Sequence, residues 1–250
     1  MDDLAIVILA AGKGTRMKSD LAKVLHPIAG KSMVNHVVEC ARTVAGDHIH
    51  VVVGHQADRV RAEVSQFHPA HFAVQKELLG TGDAVKAALP GLAECVRNVL
   101  VLCGDVPLIR KDTLRDLVQA HKSVKSEFTV LAVNVNDPGG YGRIITDKHD
   151  GLVAIREEAD ASGSEKEIKL VNAGIYCFGR RFLETGITLL RNTNNQAEYY
   201  LTDLAEIAVL KCVKTLVQSI DDPSQVMGVN TLEQLSRAEN LFRETPNELP

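Results

Sequence analysis

The sequence predicts an α/β protein built on a doubly wound, mostly parallel sheet, with a smaller mixed-sheet lobe in its second half. Three observations carry that prediction. Leu4 to Leu9 is an unbroken apolar run with a β-branched centre, the pattern of a strand buried on both faces. Between residues 31 and 103 such runs alternate with segments of helical spacing, which is the βαβ rhythm. From Glu127 onward short strands follow one another, as in a hairpin-rich sheet.

The elements follow from periodicity. Lys31 to Ala45 places Val34, Val37, Val38, Ala41 and Ala45 on one helical face and stops near Gly46. His48 to Val53 is a second buried strand, Gln56 to Gln66 a helix, and His71 to Gln75 a short strand. Leu79-Gly80-Thr81-Gly82 opens the next helix, with Thr81 as its cap, and Val99 to Cys103 is the fourth strand. A helix starting near Lys111 runs to Lys122. Strands are then expected at Phe128–Val135, Arg143–Thr146, Leu152–Glu157 and Ile168–Phe178. Tyr199 to Leu210 reads as a helix, Thr215 to Ile220 as a last strand, and Leu232 to Phe242 as an amphipathic helix.

On a parallel sheet, ligands sit outside the carboxyl ends of the strands. The first such end carries Gly12 and Gly14 among three cations, Lys13, Arg16 and Lys23. Small residues let backbone N–H groups approach phosphate oxygens, and several cations suit a polyphosphate. The spacing is neither that of a Walker A loop nor G-x-G-x-x-G, since Met17 stands at the third position. An ordinary solvated turn is the competing reading. Gln75 has both a donor and an acceptor for a base edge, or belongs to a routine strand-to-helix turn. Asp105, after Gly104 at a strand end, suits a hard cation, or simply an Asp turn.

Composition excludes several classes. The 250 residues are 45% hydrophobic and 24% charged with net charge −4, so no electrostatic footprint for nucleic acid exists. No apolar run is long enough to span a bilayer, and Met1-Asp2-Asp3 is acidic where a signal peptide is basic. A cytoplasmic protein without membrane or nucleic-acid partners is expected. Five dispersed cysteines without C-x-x-C read as reduced thiols, and neither a thiolate nucleophile nor a zinc site is expected. The oligomeric state stays open, a homo-oligomer included.

Leu9-Ala10-Ala11-Gly12-Lys13-Gly14-Thr15-Arg16-Met17, continued by Ser19 to His26, resembles the opening signature of the sugar nucleotidyltransferases. It is most similar to the N-acetylglucosamine-1-phosphate uridylyltransferase domain of a bifunctional bacterial enzyme. The likeness continues through Gln75 to Gly82, Gly104 to Leu108, Gly140 to Ile144, Glu157 before Asp160, Val171 to Ile175, Asn192 to Asp203, and Asn230. It implies a Rossmann-like fold with a nucleotidyltransferase domain over 1–229. That domain would divide into a nucleotide-binding half, 1–125, and a sugar-binding half, 126–229, before a C-terminal helix and tail, 230–250.

The implied reaction joins UTP and N-acetylglucosamine 1-phosphate into UDP-N-acetylglucosamine, with pyrophosphate released. The resemblance assigns catalysis to Arg16 and Lys23 and the nucleotide to Leu9, Ala10, Ala11, Gly12, Gly14, Thr15, Gln75, Gly80 and Thr81. It assigns the sugar to Gly142, Glu157 and Asn172, and Mg²⁺ to Asp105 and Asn230. Another sugar 1-phosphate, or a non-catalytic sensor, is the alternative. The hexapeptide repeats of an acetyltransferase β-helix are missing, so no acetyltransferase domain is expected. Three residues depart from the pattern: Ala22 for Pro, Cys103 for Tyr and Ala197 for Gly.

Overall fold

The structure, a computed structural model, describes residues 3–244, so the expected tail at 245–250 lies outside the described residues. In chain order the strands are β1 (Leu4–Ala10), β2 (Pro27–Ile28), β3 (Lys31–Ser32), β4 (Ile49–Val53), β5 (His71–Val74) and β6 (Asn98–Cys103). They continue as β7 (Phe128–Asn134), β8 (Arg143–Thr146), β9 (Leu152–Arg156), β10 (Leu170–Gly179) and β11 (Thr215–Ile220). The first four helices are α1 (Met33–Ala45), α2 (Ala57–Phe67), α3 (Thr81–Ala88) and α4 (Lys111–Ser123). The others are α5 (Gly163–Lys166), α6 (Arg180–Gly186), α7 (Leu204–Leu210) and α8 (Leu232–Glu244).

One nine-stranded sheet spans both halves in the order β11-β7-β10-β6-β1-β4-β5, with the β8–β9 hairpin branching from β10. Along that path β10 alone is antiparallel, pairing with β6 on one side and β7 on the other. The fold is therefore the mostly parallel α/β sheet that the apolar runs predict. β1 faces two cores. Leu4, Ile6 and Ile8 join the layer under α1, α2 and α4, while Ala5 and Val7 join the layer under α3, α6 and α7. Leu4, Ile6, Val7 and Ile8 are fully buried, and each contributes about 1.5–3 kcal/mol by leaving water, while Leu9 at the carboxyl end is only partly covered. That two-sided burial is why β1 contains no polar residue.

Several boundaries differ from the periodic reading, each for a physical reason. α1 starts at Met33 because Lys31 and Ser32 pair with Ile28 and Pro27, closing a hairpin over the left-handed Ala29 and Gly30. α3 starts at Thr81, capped by Gly80, whose φ of 111° suits glycine. Helix does not begin at Tyr199. Its backbone is drawn into pairing with Leu79 and Gly82, so a 3-10 turn starts at Leu201 and α7 at Leu204. β10 starts at Leu170 because Ser162 and Glu165 form a capping box that makes α5 just before it. No helix among the described residues is long and apolar enough to cross a membrane.

Candidate active site

The loop after β1 is folded over Lys23. Gly14 has φ +63°, and a Cβ on it would stand 2.4 Å from the Lys23 Cβ. Glycine is therefore required twice there, by conformation and by space. Gly14→Ala is expected to destabilise the protein by about 1–3 kcal/mol and to depress turnover, because Lys23 must shift. Thermal melting together with steady-state rates checks this.

The 3-10 turn Thr15–Met17 buries Met17 and leaves Arg16 free to reach across the site. Sequence reasoning missed Gln56. Its Oε1 accepts the Ala22 N–H at 3.2 Å and its Nε2 donates to Asp20 O at 2.5 Å. A proline at position 22 has no N–H to give. Alanine there gains a hydrogen bond that holds the loop from α2, and the signal for it was the missing proline itself.

Four expected residues meet at one point. Lys23 Nζ forms an ion pair with Asp105 Oδ2 and donates to Asn230 Oδ1 at 3.0 Å. Arg16 Nη2 donates to the same Asn230 oxygen at 3.0 Å. Asp105 lies in the turn after β6, and its carbonyl accepts the Val229 N–H at 2.9 Å, fixing the two loop segments of the constellation together. Asn230 is not the helix cap. Thr231 and Gln234 make that cap: Gln234 N–H donates to Thr231 Oγ1, and Gln234 Oε1 accepts from the Asn230 and Thr231 N–H groups. Asn230 is thereby held just outside α8 with its side chain turned to Lys23.

Two cavities adjoin at this point. One, of about 280 Å³, is lined by Leu9, Ala10, Ala11, Gly12, Gln75 and Gly80, among others. The other, of about 210 Å³, is lined by Tyr141, Gly142, Glu157, Asn172 and Asn230, among others. Leu9, Thr81, Cys103 and Asp105 belong to both walls, so Asp105 stands at the seam. Gly14, Thr15 and Arg16 line neither cavity, and Arg16 reaches the seam only through Asn230.

On the first cavity's wall, Gln75 Nε2 donates to Gly80 O at 3.0 Å and to Asp83 Oδ2 at 2.9 Å. Both its donors are spent, which leaves the carbonyl oxygen to meet an N–H of a ligand. The small residues after it serve a close approach. A Cβ at Gly80 would lie 2.7 Å from Tyr199 O, and one at Gly82 would lie 2.4 Å from Leu190 Cδ1. The Thr81 hydroxyl accepts the Leu201 N–H at 3.0 Å rather than capping α3. Ala197, where the resemblance has glycine, takes φ +53°, which explains the usual residue and costs alanine about 1 kcal/mol.

In the second cavity, Asn172 is held at both ends of its amide. Nδ2 donates to Tyr176 Oη at 2.7 Å, and Oδ1 accepts the Gly174 N–H at 2.9 Å. It sits at the β-bulge where β10 loses register with β7. The irregularity lies here, and Gly142, just before β8, meets it with its carbonyl accepting the Asn172 N–H at 2.8 Å. Cys103 Sγ donates to Gly174 O at 3.4 Å, filling the place where the resemblance has tyrosine. Burial pushes that thiol up to about 12, so it stays protonated and is no nucleophile.

Burial also pushes the Glu157 carboxyl up, and a hydrogen bond from Thr202 pulls it part of the way back. Beyond Glu157, burial and then Glu206 push Asp203 up to about 6, against the pull of Arg156. A raised folded-state value means that ionised Asp203 costs stability above pH 6, a cost that vanishes below the unfolded value near 4. Asp203→Asn is expected to raise the melting temperature at pH 7, with the gain fading between pH 6 and 4. Melts across that range check it.

Residues 6–167 match the family model described as a MobA-like NTP transferase domain. The chain is 46% identical over 247 residues to the bifunctional protein GlmU of Geobacter metallireducens, covering 99% of this chain and 52% of that protein. It is 44% identical to that of Pelobacter propionicus, covering 99% of this chain and 54% of the relative. With GlmU of Desulfotalea psychrophila it shares 42% identity over 96% of this chain and 70% of the relative. The chain thus spans about half the length of the first two relatives. In fold it is similar to a Bacillus anthracis protein assigned as a glucose-1-phosphate thymidylyltransferase, with TM-score 0.76, 21% identity and 96% of each chain covered.

Proposed function

The chain belongs to the MobA-like NTP transferase family, alongside bifunctional GlmU proteins, and on that premise we propose that it transfers a uridylyl group from UTP to N-acetylglucosamine 1-phosphate. The observation that supports this reading is the seam: two cavities share one wall, and Lys23, Arg16, Asp105 and Asn230 converge on it. A nucleotide in the first cavity and a sugar phosphate in the second would meet there, with pyrophosphate as the leaving group.

In this reading the phosphate oxygen of the sugar attacks the α-phosphorus in line, so no protein nucleophile is needed. The residues then act by positioning and by charge. The end of β1, Leu9 and Ala10, and the loop residues Ala11, Gly12, Gly14 and Thr15 admit the triphosphate, and Gln75, Gly80 and Thr81 form the wall against the base. The free carbonyl of Gln75 suits the N3–H of uracil. Glu157, Asn172 and Gly142 face the sugar. Lys23 and Arg16 neutralise the triphosphate and the charge that develops at the α-phosphate.

Asp105 Oδ2 and Asn230 Oδ1 fit a divalent cation. Both oxygens are drawn to a single cation already, the Lys23 ammonium. One carboxylate and one amide oxygen, completed by phosphate oxygens and water, make an ordinary magnesium set. Bound Mg²⁺ would supply charge stabilisation to the phosphates of both substrates. Asp105 and Asn230 hold the two ligand oxygens in place.

The testing experiment measures pyrophosphate release with UTP, dTTP and ATP against N-acetylglucosamine, glucose and galactosamine 1-phosphates. Turnover highest with UTP and N-acetylglucosamine 1-phosphate is expected. A preference for another pair moves the substrate assignment, and binding without turnover makes the chain a sensor.

A further inference from the structure

The stretch Asn192–Asp203 was conspicuous in the sequence, yet none of its residues is used by the reading above. In the structure, three of its residues, Tyr199, Leu201 and Thr202, tie the two cavities together. Tyr199 N–H donates to Leu79 O at 2.7 Å, and Tyr199 O accepts the Gly82 N–H at 2.8 Å. Leu201 N–H donates to Thr81 Oγ1 at 3.0 Å. The next residue, Thr202, turns the other way, and its hydroxyl donates to Glu157 Oε1 at 2.9 Å. Thr202 is 2% exposed.

The surroundings of Glu157 make this one bond matter. The titratable groups around it are Asp160, Glu198 and Asp203, all carboxylates, with the Tyr176 and Tyr200 phenols and the Cys103 thiol. Among the described residues no cationic group is paired with it. Among the described residues the Thr202 hydroxyl is the hydrogen-bond donor to this carboxylate, and none of them donates to Oε2. A half-buried carboxylate with one fixed oxygen presents the other in a defined direction, which is what recognition of a hydroxyl or an amide N–H needs.

We propose that Thr202 is a positioning residue for sugar-phosphate recognition: it fixes Glu157 from a strut anchored on the nucleotide wall, leaving Oε2 to the sugar. The proposal rests on the reading of Glu157 as a sugar-binding group. Thr202 touches no substrate itself. The strut explains why its backbone bonds to Leu79, Thr81 and Gly82 stand beside a side-chain bond to Glu157. It sets the distance between the wall that holds the base and the carboxylate that holds the sugar.

The test compares wild type, Thr202→Val, Thr202→Ser, Glu157→Ala and the double variant Glu157→Ala/Thr202→Val. Pyrophosphate release gives kcat and KM for UTP and for the sugar 1-phosphate separately, and melting verifies the fold of each. Thr202→Val is expected to raise the sugar-phosphate KM about tenfold or more and to change the UTP KM less than about twofold. Thr202→Ser is expected to restore it, and Thr202→Val to add nothing in the Glu157→Ala background. Equal rises in both KM values, a serine variant as defective as valine, or additive effects with Glu157→Ala would each overturn the proposal. If Thr202→Val does not fold, Thr202→Ala runs the same cycle. An active wild type with an unchanged Thr202→Val defeats the proposal alone. A wild type that turns over no sugar 1-phosphate defeats the functional reading, and this proposal with it.

Discussion

Asp105→Asn is expected to lower turnover by at least about a hundredfold while nucleotide binding largely persists. The substitution keeps the shape of the side chain and removes its charge. Asp105 is the one acidic group among the four side chains at the seam, where it meets Lys23 and stands beside Asn230. Two neutral amides cannot hold a strongly hydrated divalent cation as a carboxylate does, and several kcal/mol of charge stabilisation go with the metal. The nucleotide, by contrast, is held largely by the loop after β1 and by the Gln75 wall, which the substitution leaves alone. Asn230→Ala is expected to cost less, because water replaces a neutral ligand. Pyrophosphate release against Mg²⁺ concentration, beside calorimetry with UTP, separates the two effects. Turnover near wild type in Asp105→Asn would remove Asp105 from the metal site, and turnover that resists EDTA would remove the metal.

Lys23→Ala is expected to lower kcat by about a hundredfold or more in a folded protein. A preorganised cation at a closed site is worth several kcal/mol where charge develops in the transition state. The fold should survive because alanine retains the Cβ around which Gly14 packs. The loop also keeps its tether from Gln56 to Ala22. What is lost is the ammonium between Asp105 and Asn230, so a modest drop in melting temperature that added Mg²⁺ recovers is expected alongside. An unchanged kcat would take Lys23 out of the chemistry.

The site was legible in the sequence wherever a residue announces itself by local spacing. Gly12, Gly14, Arg16 and Lys23 follow one buried strand, and Asp105 follows another, so the rule that ligands sit at strand carboxyl ends places them together. Asn230 could be placed only by resemblance, since its approach depends on Val229 bonding to Asp105 across the fold. Gln56 left one indirect sign, the absent proline at position 22, while the Thr202 bond and the Arg143 ion pair left none. Gln56 and Thr202 act through side-chain bonds to residues far along the chain, and Arg143 is a fully buried cation paired with Glu158 at 2.7 Å. No periodicity encodes such contacts. The overall sheet was legible because apolar runs record burial on both faces. The start of α7 was not, because Tyr199 trades helical bonding for a backbone partner that local propensity cannot see.

The reversed strand β10 has a consequence for how the chain reaches this state. β10 lies between β6 and β7, although β7 follows β6 in sequence. During synthesis, then, β1, β4, β5 and β6 can assemble with their helices while one edge of β6 stays open. It remains open until residues 176–179 emerge to pair with it. β7 meanwhile has to wait a strand's width away, parallel to β6, instead of zipping directly onto it. An apolar open edge invites the wrong partner, from the same chain or another. The strand that covers the open edge of β6 is also the one that carries Asn172 to the sugar cavity. The same strand thus borders β6 on the nucleotide side and lines the sugar cavity.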